Sequence, residues 1–124
     1  MSFEKSNGDA RVFDADEALS RADGDRELLS ELIEMYLVQS KQDLGEIEAA
    51  ISSKDAKRLE FVAHSLKGAS ATIAAERVRE QAYRMEKIGA SGALAEAPAL
   101  LQQLKESINI TNELVSKALA KFRS

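Results

Sequence analysis

Apolar residues recur at intervals of three and four along nearly all of this 124-residue chain, in four separate stretches. That interval is the period of a helix with one buried stripe; a half-buried strand would alternate every second residue. From Arg26 to about Ser52 the stripe is Ile33, Leu37, Ser40, Leu44, Ile47 and Ile51. A second helix, starting at Ser53 or Asp55 and ending near Ile73, carries Leu59, Val62, Leu66, Ala69 and Ile73. Val78, Ala82 and Met85 mark a third over about Ala75 to Ile88, closed by the C-terminal glycine chemistry of Gly89 to Gly92. The last begins near Ala97 or Pro98, where a first turn tolerates proline, and carries Leu101, Leu104, Ile108, Thr111, Val115, Ala118 and Phe122. Ahead of these, Phe13 to Leu19 reads as a short helix with Asp14 as its cap and Glu17 three residues on. Ala22 to Asp25 is a turn. Short connections between amphipathic helices predict an all-α fold, an antiparallel up-down four-helix bundle with a short additional N-terminal helix. The bundle domain spans residues 12–124, after a flexible tail over residues 1–11.

The composition narrows what such a bundle does. One proline and six glycines agree with helix, and a formal charge of −4 argues against nucleic acid as a partner. The absence of cysteine excludes disulfides, thiolate metal sites and cysteine nucleophiles. With one histidine and only carboxylates beside it, no metal site is predicted. No apolar run approaches the ~20 residues of a membrane span, and no signal peptide opens the chain, so a cytoplasmic location is the default.

The one histidine, His64, lies in the middle of the second long helix, about 180° from the centre of its apolar stripe. It is therefore expected to face water, with Lys67 and Gly68 one turn on. A glycine inside a helix costs about 1 kcal/mol relative to alanine, so Gly68 calls for a reason. Helical side chains lean toward the N-terminus, so a residue at 68 would lie over the imidazole; glycine leaves that space clear. An exposed imidazole with open space above it and a cation beside it suits reversible attachment of a phosphoryl group.

The run His64-Ser65-Leu66-Lys67-Gly68-Ala69 resembles the His-x-Leu-Lys-Gly-(Ser/Ala) signature of the histidine-phosphotransfer (HPt) domain family of two-component phosphorelays. The likeness continues through the small residues Ser70 to Ala75 and takes in Val12 to Leu29 upstream, covering about residues 12 to 122. The resemblance implies a four-helix bundle whose histidine takes a phosphoryl group from one receiver-domain aspartate and gives it to another. It implies His64 as phosphoacceptor, Lys67 as counter-charge to the phosphoryl group and Gly68 as the opening for the partner. Glu86, twenty-two residues after His64, stands where the family often has a Gln or Glu that orients the imidazole. The partners implied are response-regulator receivers and a hybrid or sensor histidine kinase. Magnesium and the acidic pocket would come from the receiver, so no cofactor is required, and the chain is a phosphotransfer intermediate without a kinase domain of its own.

Phe61, about 60° from His64, either folds into the core or forms a docking surface with Ala71, the reading favoured here; Ser65 joins that partner-facing set. A sensor-kinase dimerisation helix would place an acidic residue directly after the histidine, where this chain has Ser65. A degenerate adaptor that binds receivers without transfer is the alternative, and it leaves Gly68 unexplained. Four stripes that close within one chain predict a monomer, and Met1 with no second domain favours a stand-alone relay.

Overall fold

Three aspartates open the first three helices. In the computed structural model, which describes residues 12–124, the Oδ1 atoms of Asp14, Asp25 and Asp55 each accept from the backbone N–H three residues on, at 3.0 Å. Each bond satisfies one of the donors a helix start leaves unpaired. The helices that follow are α1 (Ala15–Arg21), α2 (Arg26–Ser52) and α3 (Ala56–Thr72). Of the two starts predicted for α3, Asp55 is the one used. Glu17 does not complete a capping box: its carboxylate takes Arg21 Nε at 3.1 Å, and the Asp14 N–H goes to the Ala74 carbonyl.

Helix α4 (Glu76–Ser91) ends at Gly92, whose φ of 76° is the left-handed value that favours glycine at a C-terminus. A short 3₁₀ turn, Leu94–Glu96, leads into α5 (Ala97–Arg123), with Pro98 in its first turn. Each of α2 to α5 packs on its two neighbours around a ring, α2 on α3 and α5, and α4 on α3 and α5. This is the antiparallel up-down bundle the stripes predict, with α1 against one end. No strand occurs among the described residues. The tail assigned to residues 1–11 lies outside them.

The core falls into two apolar clusters. Leu59, Leu66, Val78, Met85 and Leu104 belong to one; Val12, Phe13, Leu29, Ile33, Ile73 and Val115 belong to the other, at the end that α1 covers. Truncating a fully buried leucine such as Leu66 costs about 2–5 kcal/mol, so these stripes carry the fold. Polar groups lie buried as well. Tyr36 and Ser70 share a hydrogen bond of 3.0 Å, and burial pushes the Tyr36 hydroxyl up to about 12. Asn112 donates to Ser40 at 3.2 Å.

At two places the helices depart from the periodic pattern. Ala69 is only half-buried, while Ala63 and Ser70 are fully buried, so the core face of α3 is turned by about 30° from the predicted stripe. Alanine and serine fit either side of a stripe edge, and neighbouring helices decide between them. Gly89 is not part of the helix stop. A Cβ there would sit 2.6 Å from the Glu60 nitrogen and 2.9 Å from the Ala56 carbonyl oxygen. Its absence lets α4 lie directly on the α3 backbone.

Candidate histidine phosphotransfer site

The close approach of α3 and α4 at Gly89 sets the two helices alongside each other at the level of His64. His64 projects from α3 with two-thirds of its side chain open to solvent, 67% exposed. Its Nδ1 lies 2.9 Å from Glu86 Oε2 on α4. A carboxylate only accepts, so in the neutral ring this contact requires the proton on Nδ1. The Nε2 lone pair is then left free on the outer side of the ring.

The other oxygen of Glu86, Oε1, is 2.8 Å from the Lys67 ammonium. One carboxylate thus bridges the imidazole and the lysine. The Glu86 side chain is only 18% exposed. Desolvation opposes its ionisation, yet the donors from Lys67 and His64 together outweigh that and hold its pKa below the usual carboxylate value. Glu86 is therefore an anion at neutral pH, and the bridge is intact.

Gly68 follows one turn after His64 and is exposed, and a Cβ built there meets nothing within 4 Å. The space that a side chain at position 68 would enter is open. Phe61, one turn before, is 67% exposed, with the Arg58 guanidinium 5.6 Å from its ring centroid. It has not folded into the core. Ala71 is half-covered, and its carbonyl accepts from Arg21 of α1.

Ser65 turns toward α2. Its hydroxyl is 3.4 Å from Asp43 Oδ2, and Gln39 donates to both Asp43 oxygens at 3.0 and 3.1 Å. Asp43 is buried, which raises its pKa against the lowering effect of the Gln39 and Ser65 donors. Leu32, Met35, Gln39 and Ala69 line a shallow groove between α2 and α3 that reaches Ser65.

Sequence reasoning did not single out Asp43, Gln39 or Tyr83 around this site. The Tyr83 ring on α4 has the ammonium groups of Lys67 and Lys87 at 5.1 and 4.9 Å from its centroid. Only the pairing of α3 with α4 brings Tyr83 to Lys67. The spacing of Tyr83, Glu86 and Lys87 along one helix was the available signal, since residues three and four apart share a face. Among the described residues no group of three or more carboxylates and imidazole forms a metal-binding cluster. Nor is any helix there long and apolar enough to cross a membrane.

The comparisons with known proteins agree with this fold. The Hpt domain family model matches residues 31–113, and the chain belongs to that family. It is 28% identical over 113 residues to the phosphorelay intermediate protein rdeA of Dictyostelium discoideum, covering 91% of this chain and 43% of that protein. It is also 28% identical over 98 residues to multistep phosphorelay regulator 1 of Schizosaccharomyces pombe, covering 79% of this chain and 32% of that protein. The chain thus spans less than half the length of these curated relatives. Among solved structures, histidine-containing phosphotransfer protein B of Pseudomonas aeruginosa superposes with a TM-score of 0.83 at 24% identity, over 89% of this chain and 96% of that one. The HPT domain of a hybrid histidine kinase from Shewanella gives 0.81 at 17% identity, over 90% and 97%. Both likenesses are of fold.

Proposed function

We propose that this chain is a phosphorelay intermediate that carries a phosphoryl group on His64 between receiver-domain aspartates. The observation that carries the reading is the Glu86–His64 contact at 2.9 Å, which favours the tautomer with its proton on Nδ1 and an Nε2 open to act as the nucleophile. The Nε2 lone pair attacks phosphorus in line, the bond from phosphorus to the aspartyl oxygen breaks, and the aspartate leaves as a carboxylate. The ring becomes a phospho-imidazolium that keeps its Nδ1 proton, and the Glu86 anion stabilises that positive charge. Transfer to a second receiver reverses these events. Lys67 faces the oxygens of the moving group as a compact cation. Gly68 leaves room for the receiver's active site.

The partners follow from this chemistry: receiver domains, and a hybrid or sensor histidine kinase that feeds them. Phe61 and Met35, both 67% exposed, offer apolar contact area for a partner, and Ser65 and Ala71 join that set. Residues 12–124 act as one domain, a monomer in the cytoplasm, with no kinase activity and no cofactor of its own.

Incubation with a phosphorylated receiver domain tests the reading. Label should move to this chain in an acid-labile, alkali-stable form and be chased off by a second, unphosphorylated receiver. A chain that binds the receiver but takes no label would be the degenerate adaptor instead.

A further inference from the structure

Lys67 is held from two sides, by the Glu86 carboxylate at 2.8 Å and by the face of Tyr83 at 5.1 Å from the ring centroid. The core has no need of this tyrosine. Tyr83 is 44% exposed and belongs to neither apolar cluster. Its neighbours on α4 are Glu86 and Lys87, three and four residues on, the positions that share its face.

The two holding groups act differently on the charge. A carboxylate binds an ammonium strongly but cancels it. An aromatic face attracts the same cation through its quadrupole and adds no net charge. Lysine has a long, freely rotating stem, so an ammonium held at a single point keeps much of its freedom. With Glu86 shared between His64 and Lys67, the ring supplies a second point of attachment that leaves the positive charge available. Lys87, itself exposed, brings a second ammonium to 4.9 Å from the same ring.

We infer that Tyr83 is a positioning residue for phosphoryl transfer, its ring fixing the Lys67 ammonium beside His64 where the phosphoryl oxygens arrive. This rests on the reading of His64 as phosphoacceptor. The contribution comes from the ring face, so the hydroxyl is dispensable and the aromatic ring is not.

The full chain and phosphoramidate, a donor that needs no docking surface, separate this from a merely structural role. In that reaction the donor's P–N bond breaks as the bond from His64 Nε2 to phosphorus forms, and ammonia leaves. Tyr83→Phe should take up phosphate at the rate of the unaltered chain. Tyr83→Leu should be slower by about two- to fivefold, the size of one exposed cation–π contact. In a Lys67→Gln background Tyr83→Leu should cause no further loss. By NMR, the Lys67 ε-methylene protons should carry an upfield ring-current shift that Tyr83→Phe preserves and Tyr83→Leu removes. Wild-type rates in Tyr83→Leu, an equal loss in Tyr83→Phe, or an undiminished loss in the Lys67→Gln background would each overturn the inference. If the unaltered chain takes up no phosphate at all, the phosphoacceptor reading fails and the inference with it. A ring-current shift that persists in that case shows that the function, not the contact, was wrong.

Discussion

Nδ1 of His64 and Oε2 of Glu86 stand 2.9 Å apart, joining α3 to α4 across twenty-two residues of sequence. The same carboxylate's second oxygen meets Lys67 at 2.8 Å, so one acidic side chain touches both the imidazole and the lysine ammonium. Removing it should act on transfer more than on the fold. We expect Glu86→Ala to slow phosphoryl uptake by about tenfold or more, the equivalent of one charge-assisted hydrogen bond. Glu86→Gln should fall between, because its amide oxygen still accepts from Nδ1–H while the charge is gone. The ¹⁵N shifts of the His64 ring report the tautomer directly. An unchanged tautomer and rate in Glu86→Ala would remove Glu86 from the mechanism.

Three helical glycines should respond to substitution in three ways. Gly45 is exposed with nothing within 4 Å of a Cβ, so Gly45→Ala should raise stability by up to about 1 kcal/mol and leave transfer untouched. Gly68 has the same open surroundings, so Gly68→Gln should also hold or raise stability, yet phosphoryl transfer from a receiver should fall steeply because a side chain now lies over the imidazole. Gly89→Ala should destabilise, by about 1–3 kcal/mol, since its Cβ would press on the α3 backbone at Glu60 and Ala56. Thermal melts and transfer rates for the three, side by side, check the pattern. Normal transfer by Gly68→Gln would contradict the role given to that glycine.

Asp43 and Glu86 should shift stability with pH in opposite senses. Burial raises the Asp43 carboxyl above the ordinary aspartate value of about 3.9, so the folded chain binds that proton more tightly than the unfolded one. Its ionisation therefore opposes folding at neutral pH, and the opposition fades as pH falls through the raised pKa. For Glu86, whose pKa is lowered, the stabilisation is present above about 4.3 and is lost as pH falls through the lowered value. Asp43→Asn can keep the Gln39 bond through its oxygen and offer its amide to Ser65. It should accordingly gain on the wild type at pH 7 and lose that advantage on acidification. Denaturant titrations of both proteins between pH 7 and 4 measure this. A stability difference that does not vary with pH would show that Asp43 is not desolvated as the structure has it.

The bundle was legible because its information is periodic: stripes, aspartate caps and Gly92 are local signals, and each appears where the chain needs it. His64, Lys67 and Gly68 were legible for the same reason, since three residues within one turn and a half of one helix fix their own relative directions. What escaped depends on which helix lies opposite. Gly89 looked like a helix stop because glycine near a helix end usually is one, and only the α3 backbone beneath it reveals the packing role. Ala69 and Ala63 are equally apolar, so the stripe alone could not say which of them faces the core. Tyr83 and Asp43 meet Lys67 and Ser65 only across helix pairs. Spacing along α4 groups Tyr83 with Glu86 and Lys87, but it does not name the residue of α3 that meets them.

We propose that this chain's phosphoryl group is carried on His64 and nowhere else. The most direct measurement is phosphate incorporation from a phosphorylated receiver into the wild type and His64→Gln, with the modified residue located by mass spectrometry under alkaline conditions. A phosphohistidine at position 64 is expected in the wild type. No label is expected in His64→Gln, although that exposed substitution should change stability by no more than about 0.5 kcal/mol. Label retained by a folded His64→Gln would contradict the claim.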